Sequence, residues 1–177
     1  MNEVVIKPSL REQFLQGWAQ CRVIFFSAPC GFGKSTAATA LLSNYKTCVF
    51  SAEDPEFLHE PVPKNVDAIV IDSLPALKDP EDRQTLCAWI RENPELHFVI
   101  LSRGVLPGWL MPFRFTGLLQ LIEAGDLLFD RDTVRVFLEK NGCTPTEAEI
   151  NVIVHDSLGY PLALTALSRL MQNGQPY

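Results

Sequence analysis

The sequence is short of positive charge: 15 lysines and arginines stand against 21 acids, a formal net charge of −6. That balance argues against a chain that grips a nucleic-acid backbone unaided. No apolar run is long enough to cross a bilayer, and Met1 to Leu10 lacks the features of a signal peptide. The three histidines, His59, His97 and His155, are dispersed without metal-ligand spacing and are given no catalytic role. The five cysteines (Cys21, Cys30, Cys48, Cys87 and Cys143) include no C-x-x-C pair. Reduced, buried thiols in a cytoplasmic protein are the expected state, with Cys30 the exposed exception. There is no internal repeat and no low-complexity tract. The chain stops at Gln175-Pro176-Tyr177 without an obvious finish, so it reads as part of a longer protein. What is present is 177 residues, 47% hydrophobic and 20% charged, which suits one globular domain with a real core and a small appendage.

The stretch around which the rest is organised is Ala28-Pro29-Cys30-Gly31-Phe32-Gly33-Lys34-Ser35-Thr36. It follows the apolar run Val23-Ile24-Phe25-Phe26 and leads into Ala37, Ala38, Ala40, Leu41 and Leu42. Strand, glycine loop and helix in that order form the phosphate-binding loop arrangement, with Ala28 in place of the first glycine. Small or flexible residues at Ala28, Gly31 and Gly33 let the backbone curl until several N–H groups converge on a phosphate. The helix start adds unpaired donors and the positive end of its dipole. Lys34 would place a point charge between the outer phosphates, and the Ser35 hydroxyl would complete the coordination of a magnesium ion. Average residue usage yields this pattern by accident in about one chain in a hundred of this length. The flanking strand and helix remove most of those accidents. For Cys30, a reactive role is the alternative to simple tolerance of a small side chain.

Before the loop, Val4-Val5-Ile6 is a short apolar lead-in, and Ser9-Leu10-Arg11-Glu12 reads as a capping box. The helix it opens carries Leu10, Phe14, Leu15 and Trp18 on one face. Beyond the loop helix, Thr47-Cys48-Val49-Phe50 is a second strand, followed by a proline-broken segment too short for a long crossover helix. Ala68-Ile69-Val70-Ile71 is a strand buried on both faces, and it ends in Asp72. Alone, Asp72 is a polar strand end; paired with the glycine loop it is placed to hold magnesium through a water, the Walker B role. Asp79-Pro80 caps a helix through Leu86, Trp89 and Ile90 that ends near Asn93-Pro94. His97-Phe98-Val99-Ile100-Leu101 is a further buried strand, closed by Ser102-Arg103. Arg103 is placed either to sense the terminal phosphate or to stand as a solvated loop arginine. Pro107 to Phe115 is a packed loop or short helix, and Leu118 to Ile122 a fifth, shorter strand.

The end of the chain changes character. Asp130 caps a helix carrying Val134, Phe137 and Leu138 that stops at Asn141-Gly142. Thr144-Pro145-Thr146-Glu147 reads as a second capping box, for a helix through Ile150, Ile153 and Val154. Gly159-Tyr160-Pro161 breaks the chain before a third helix lined by Leu162, Leu164, Leu167 and Leu170. Three helices after an α/β core read as a small lid or adaptor.

The loop, Ile69-Val70-Ile71-Asp72, Leu101-Ser102-Arg103, Asp126-Leu127-Leu128-Phe129 and Gly159-Tyr160-Pro161-Leu162-Ala163-Leu164 occur in this order. Together they resemble the nucleotide-binding region of STAND-class signalling ATPases, especially MalT-like (LuxR-type) bacterial transcriptional regulators. Ile6-Lys7-Pro8-Ser9-Leu10 resembles that family's lead-in, where arginine usually stands at the place of Lys7. The resemblance implies an α/β fold: a P-loop NTPase three-layer sandwich with a mainly parallel sheet over residues 1–125. A small helical domain, truncated, would follow over residues 126–177. It further implies ATP/ADP and Mg2+ as cofactors, Lys34, Asp72 and Arg103 as the catalytic and sensing set, and Ser35 with Asp72 at the metal. Pro29, Cys30, Gly31, Phe32, Gly33, Lys34, Ser35 and Thr36 would hold the phosphates, and Pro161 would pack near the adenine. Members of this class switch between a closed ADP form and an open, self-associating ATP form. Their DNA-binding and sensor regions lie further along the chain, so DNA would be a partner only through regions absent here.

Two departures from that pattern matter. The family's second acid after the Walker B aspartate is here Ser73, whose hydroxyl cannot accept a proton at neutral pH as a carboxylate does. Hydrolysis is therefore expected to be slow unless Glu53 or Asp54 substitutes. The shortened Glu53 to Asn65 crossover also leaves the position of the second strand open. A regulatory ATP/ADP switch is the first functional expectation, and a P-loop ATPase or small-molecule kinase the alternative. The segment after Asp72 has few of the basic residues a kinase lid needs.

Overall fold

The chain folds around a five-stranded sheet in the order β2-β3-β4-β1-β5, every neighbouring pair parallel. The strands are β1 (Val23–Ser27), β2 (Thr47–Ser51), β3 (Ala68–Asp72), β4 (His97–Ser102) and β5 (Leu119–Glu123). The computed structural model describes residues 4–172, so the chain end at Gln175-Pro176-Tyr177 lies outside the described residues. Helices α1 (Pro8–Gln20), α2 (Lys34–Leu41) and α3 (Pro80–Glu92) cover the sheet. Short helices α4 (Met111–Phe115) and α5 (Ala124–Leu127) flank β5, and α6 (Arg131–Lys140), α7 (Glu147–Ser157) and α8 (Pro161–Gln172) complete the chain.

The apolar runs work because alternate residues of a buried strand serve opposite layers. Val23, Phe25, Ile69, Ile71, Phe98 and Ile100 pack with Leu86, Trp89 and Ile90 of α3 on one face. Ile24, Phe26, Val70, Val99 and Leu101 pack with Leu10 and Phe14 of α1 and with Ala37, Ala38 and Leu41 of α2 on the other. Helices α6 to α8 enclose an apolar cluster of their own, with Val134, Leu138, Ile150, Ile153 and Leu164 fully buried.

The second strand takes the sheet edge beside β3, with Thr47 opposite Ala68 and Ser51 opposite Asp72. Its crossover holds no α-helix, only a 3-10 turn at Pro55–His59. Aromatic packing takes the helix's place there. Phe57 stacks on Phe50 at 4.4 Å and meets the Trp89 ring edge-on at 6.0 Å.

Local expectations are corrected at several points. Helix α1 starts at Pro8, not at a Ser9 cap, because proline suits the first helical position; Lys7 is the cap residue and makes no side-chain cap bond. Leu15 is not on the buried face, being 49% exposed, and Gly17 fills that place. The second capping box lies two residues later than expected: Thr146 caps Glu149 N–H, and the Glu149 carboxylate returns to Thr146 N–H. The helix begins at Glu147, so the hydroxyl placed to reach its third N–H is that of Thr146, and Thr144 stands outside the first turn. Strand β5 is as long as β1 to β3. Among the cysteines, Cys87 and Cys143 are buried and Cys30 is exposed, but Cys21 and Cys48 are only half-buried.

Candidate functional site

Strand β1 lies between β4 and β5, so the loop leaving it emerges inside the sheet's carboxyl edge, one strand in from β5. Ala28 N–H donates to the Ser102 carbonyl at 3.2 Å, which carries the ladder one residue beyond Ser27. The chain then turns through Gly31 (φ +85) and Gly33 (φ +77), left-handed positions that favour glycine. Gly33 is the cap residue of α2 and offers no side-chain cap, so the helix's first N–H groups are left open to an anion.

Lys34 folds back into this loop. Its Nζ donates to the carbonyls of Ala28 at 2.6 Å and Pro29 at 2.9 Å. Burial pushes its ammonium below the ordinary lysine range, opposed by the Asp72 carboxylate and reinforced weakly by Arg103. The Ser35 hydroxyl donates to Asp72 Oδ2 at 3.3 Å, and Ser73 N–H donates to Asp72 Oδ1 at 2.6 Å. Ser73 has φ +58, a left-handed turn that carries the chain sharply away from the end of β3. Arg103 stands exposed just beyond β4.

These groups share one cavity of about 520 Å³. Cys30, Gly31, Phe32, Gly33, Lys34, Ser35 and Thr36 line it, as do Asp72, Ser73, Arg103 and Pro161. Pro29 does not, and meets the site only through its carbonyl on Lys34. Glu53 and Asp54, the possible substitutes for the missing acid, are likewise not among the lining residues. The opposite wall comes from the lead-in and the helical segment: Ile6, Leu127, Phe129, Phe137 and Pro161 supply apolar surface. Lys7 Nζ braces that wall by donating to the Leu128 carbonyl at 3.1 Å. Lys140, Asn141 and Thr165 also line the cavity, and sequence reasoning missed them. Asn141 was legible only as a helix stop. Nothing local says that α6 ends facing a loop more than a hundred residues earlier.

The histidines lie elsewhere. The His97 ring stacks on Trp18 at 3.9 Å, with its Nε2 2.9 Å from the Trp18 carbonyl. His59 lies 3.7 Å from Asp82, and His155 pairs with Asp156. No helix among the described residues is long and apolar enough to cross a membrane.

Chemically, the cavity joins the uncapped start of α2, a buried ammonium, a guanidinium and one carboxylate to an apolar slot. Ser35 and Asp72 form an oxygen-only donor pair, which fits a hard cation such as magnesium.

No protein-family model matches the sequence, and no curated protein matches it. Solved structures do. A DNA replication initiation factor shares 16% identity at a TM-score of 0.62, covering 94% of this chain and 60% of that one. The Walker-type ATPase paby2304 of Pyrococcus abyssi shares 13% at a TM-score of 0.68, covering 97% and 69%. Thermotoga maritima RuvB shares 14% at a TM-score of 0.67, covering 96% and 62%. The chain thus spans about 60% to 69% of the length of these structures. At such identities the likeness concerns the fold, and on that fold the parallel sheet and the glycine loop agree: this is an α/β chain with the fold of the P-loop NTPases.

Proposed function

We propose that the chain is the ATP/ADP-binding switch module of a STAND-class signal-transduction ATPase, from a MalT-like transcriptional regulator, with slow hydrolysis. The observation that carries this reading is the makeup of the cavity. Loop, Asp72 and Arg103 come from the sheet, while Phe137 and Pro161 come from the helices that follow it. A ligand filling it touches both parts, so its occupancy can bias how they are held together. In this reading residues 1–125 are the nucleotide-binding domain and residues 126–177 the helical lid, of which 173–177 lie outside the described residues.

Within the site, Lys34 exchanges its two carbonyl partners for phosphate oxygens. The loop amides and the start of α2 hold the phosphate tail. Ser35 and Asp72 hold the magnesium ion, which supplies charge neutralisation on the outer phosphates when bound. Arg103 senses the terminal phosphate, and Pro161 with Phe137 meets the base. Slow turnover is supported by Ser73, which lines the cavity where a proton-accepting acid would stand, and by the absence of Glu53 and Asp54 from its lining. Self-association belongs to the ATP form, and DNA contact to regions outside this chain.

Binding and amide exchange together test the switch. Mg2+-ATP and Mg2+-ADP should bind with different affinities and give different protection across α6 to α8. Identical affinity and identical protection would remove the basis for a switch, because only differential binding shifts a population.

A further inference from the structure

The hydroxyl of Tyr160, just ahead of α8, donates to the Cys30 carbonyl at 2.9 Å across 130 residues of sequence. Its ring lies 4.9 Å from that of Phe32. Between the two, Gly31 has no room for a side chain: a Cβ there would stand 2.0 Å from Tyr160 Oη and 2.9 Å from Leu162 Cδ2. Consecutive residues of the loop are thus pressed against the start of one helix. Tyr160 is itself fixed, its N–H donating to the Ser157 carbonyl at 2.9 Å and its carbonyl accepting from Leu164 N–H at 3.0 Å.

The direction of the Cys30 carbonyl is the informative part. The carbonyls of Ala28 and Pro29 turn toward the Lys34 ammonium, whereas that of Cys30 turns to Tyr160. Every described peptide bond is trans, so the Gly31 N–H runs antiparallel to the Cys30 carbonyl and points away from Tyr160. An anion nest needs its N–H groups aimed to one side, and a peptide beside a glycine is the one most free to rotate.

We infer that Tyr160 is a positioning residue of the phosphate loop. Its hydroxyl holds the Cys30–Gly31 peptide in the orientation that receives a phosphate oxygen, so affinity for the phosphate tail depends on α8 staying docked. This rests on the nucleotide-binding reading above and extends it: the helical segment acts on the phosphates as well as on the base.

Tyr160→Phe keeps the ring against Phe32 and removes only the donor. Cys30-Gly31 is the sole Cys-Gly pair in the sequence, so carbonyl-labelled cysteine with 15N-glycine yields a single amide signal from this peptide. The substitution should move that signal in the ligand-free protein while the rest of the amide spectrum shows an intact fold. It should also weaken Mg2+-ADP and pyrophosphate binding by a common factor of about five, the scale of one net hydrogen bond. A tyrosine that only supported the helical wall would weaken ADP and spare pyrophosphate, which does not reach that wall. That outcome, or an unmoved signal, overturns the inference. A wild-type protein that binds neither ligand would instead refute the nucleotide reading, while the labelled signal still decides whether Tyr160 holds the peptide.

Discussion

The Ser35 hydroxyl donates to Asp72 Oδ2 at 3.3 Å, although 37 residues separate them in the chain. Ser35 belongs to the first turn of α2 and Asp72 is the last residue of β3. They meet because a parallel sheet delivers all its strand ends to one edge, where the loop after β1 also emerges.

That pairing makes Asp72→Asn a test of metal binding. Losing the carboxylate charge should cut the magnesium-dependent part of ATP affinity by about tenfold or more. Titrations with magnesium and with a chelator measure it. An unchanged dependence on magnesium would mean that the pair does not serve the cation.

Gly31 and Gly33 should differ in what they tolerate. Both have positive φ, but a Cβ at Gly33 meets nothing nearer than Pro161 Cβ at 3.9 Å, against 2.0 Å to Tyr160 Oη at Gly31. Gly33→Ala should cost about 1–2 kcal/mol of stability, the left-handed penalty alone. Gly31→Ala should cost more and displace Tyr160. Urea unfolding of both variants decides it, and equal losses would contradict the close contact.

Ser73→Glu should accelerate phosphate release, by about a hundredfold if the missing acid is the limiting factor. Ser73 lines the cavity beside Asp72, so a carboxylate there would add a proton acceptor to the cavity wall. A steady-state rate no higher than that of the natural protein would point to a different limitation, such as the left-handed turn aiming the new side chain elsewhere.

Glu147 gives a pH prediction far from the site. It pairs with both Arg131 and Arg135, and those two guanidinium groups hold its carboxyl at about 2, against an ordinary 4.5. A depressed acid contributes stability that is present above its unfolded value and is lost as pH falls toward its folded one. Glu147→Gln should therefore lower the melting temperature at pH 6, and the difference should close between pH 4.5 and 2. The pair is exposed, so salt should shrink the effect. A difference independent of pH would assign the role to packing.

Much of this architecture is legible in the chain. Continuous apolar runs such as Ala68 to Ile71 and Phe98 to Leu101 announce strands buried on both faces, and Asp79-Pro80 and Asp130 announce helix starts by local chemistry. The glycine loop is legible because each residue has its own physical task. Partners across the fold are not. Nothing beside Tyr160 names Cys30, and nothing beside Asn141 says that α6 ends at the cavity, since those encounters depend on how the helices dock. Position within an element is also hard to read: Ser9 and Thr144 have the chemistry of caps, yet the first helix already begins at Pro8 and the later one is capped by Thr146. The edge place of β2 is fixed by its pairing with β3, and the Phe57–Phe50 stack that packs its short crossover has no periodic signature.

Isothermal titration of Mg2+-ATP and Mg2+-ADP into the natural protein and into Lys34→Ala tests the central claim most directly. Lys34 is the buried cation enclosed by the loop, held by the carbonyls of Ala28 and Pro29. Both nucleotides should bind the natural protein, and the substitution should weaken them about a hundredfold or more, the scale of charge-assisted bonds to phosphate. Equal affinity in the two proteins, or no binding to either, would contradict the account.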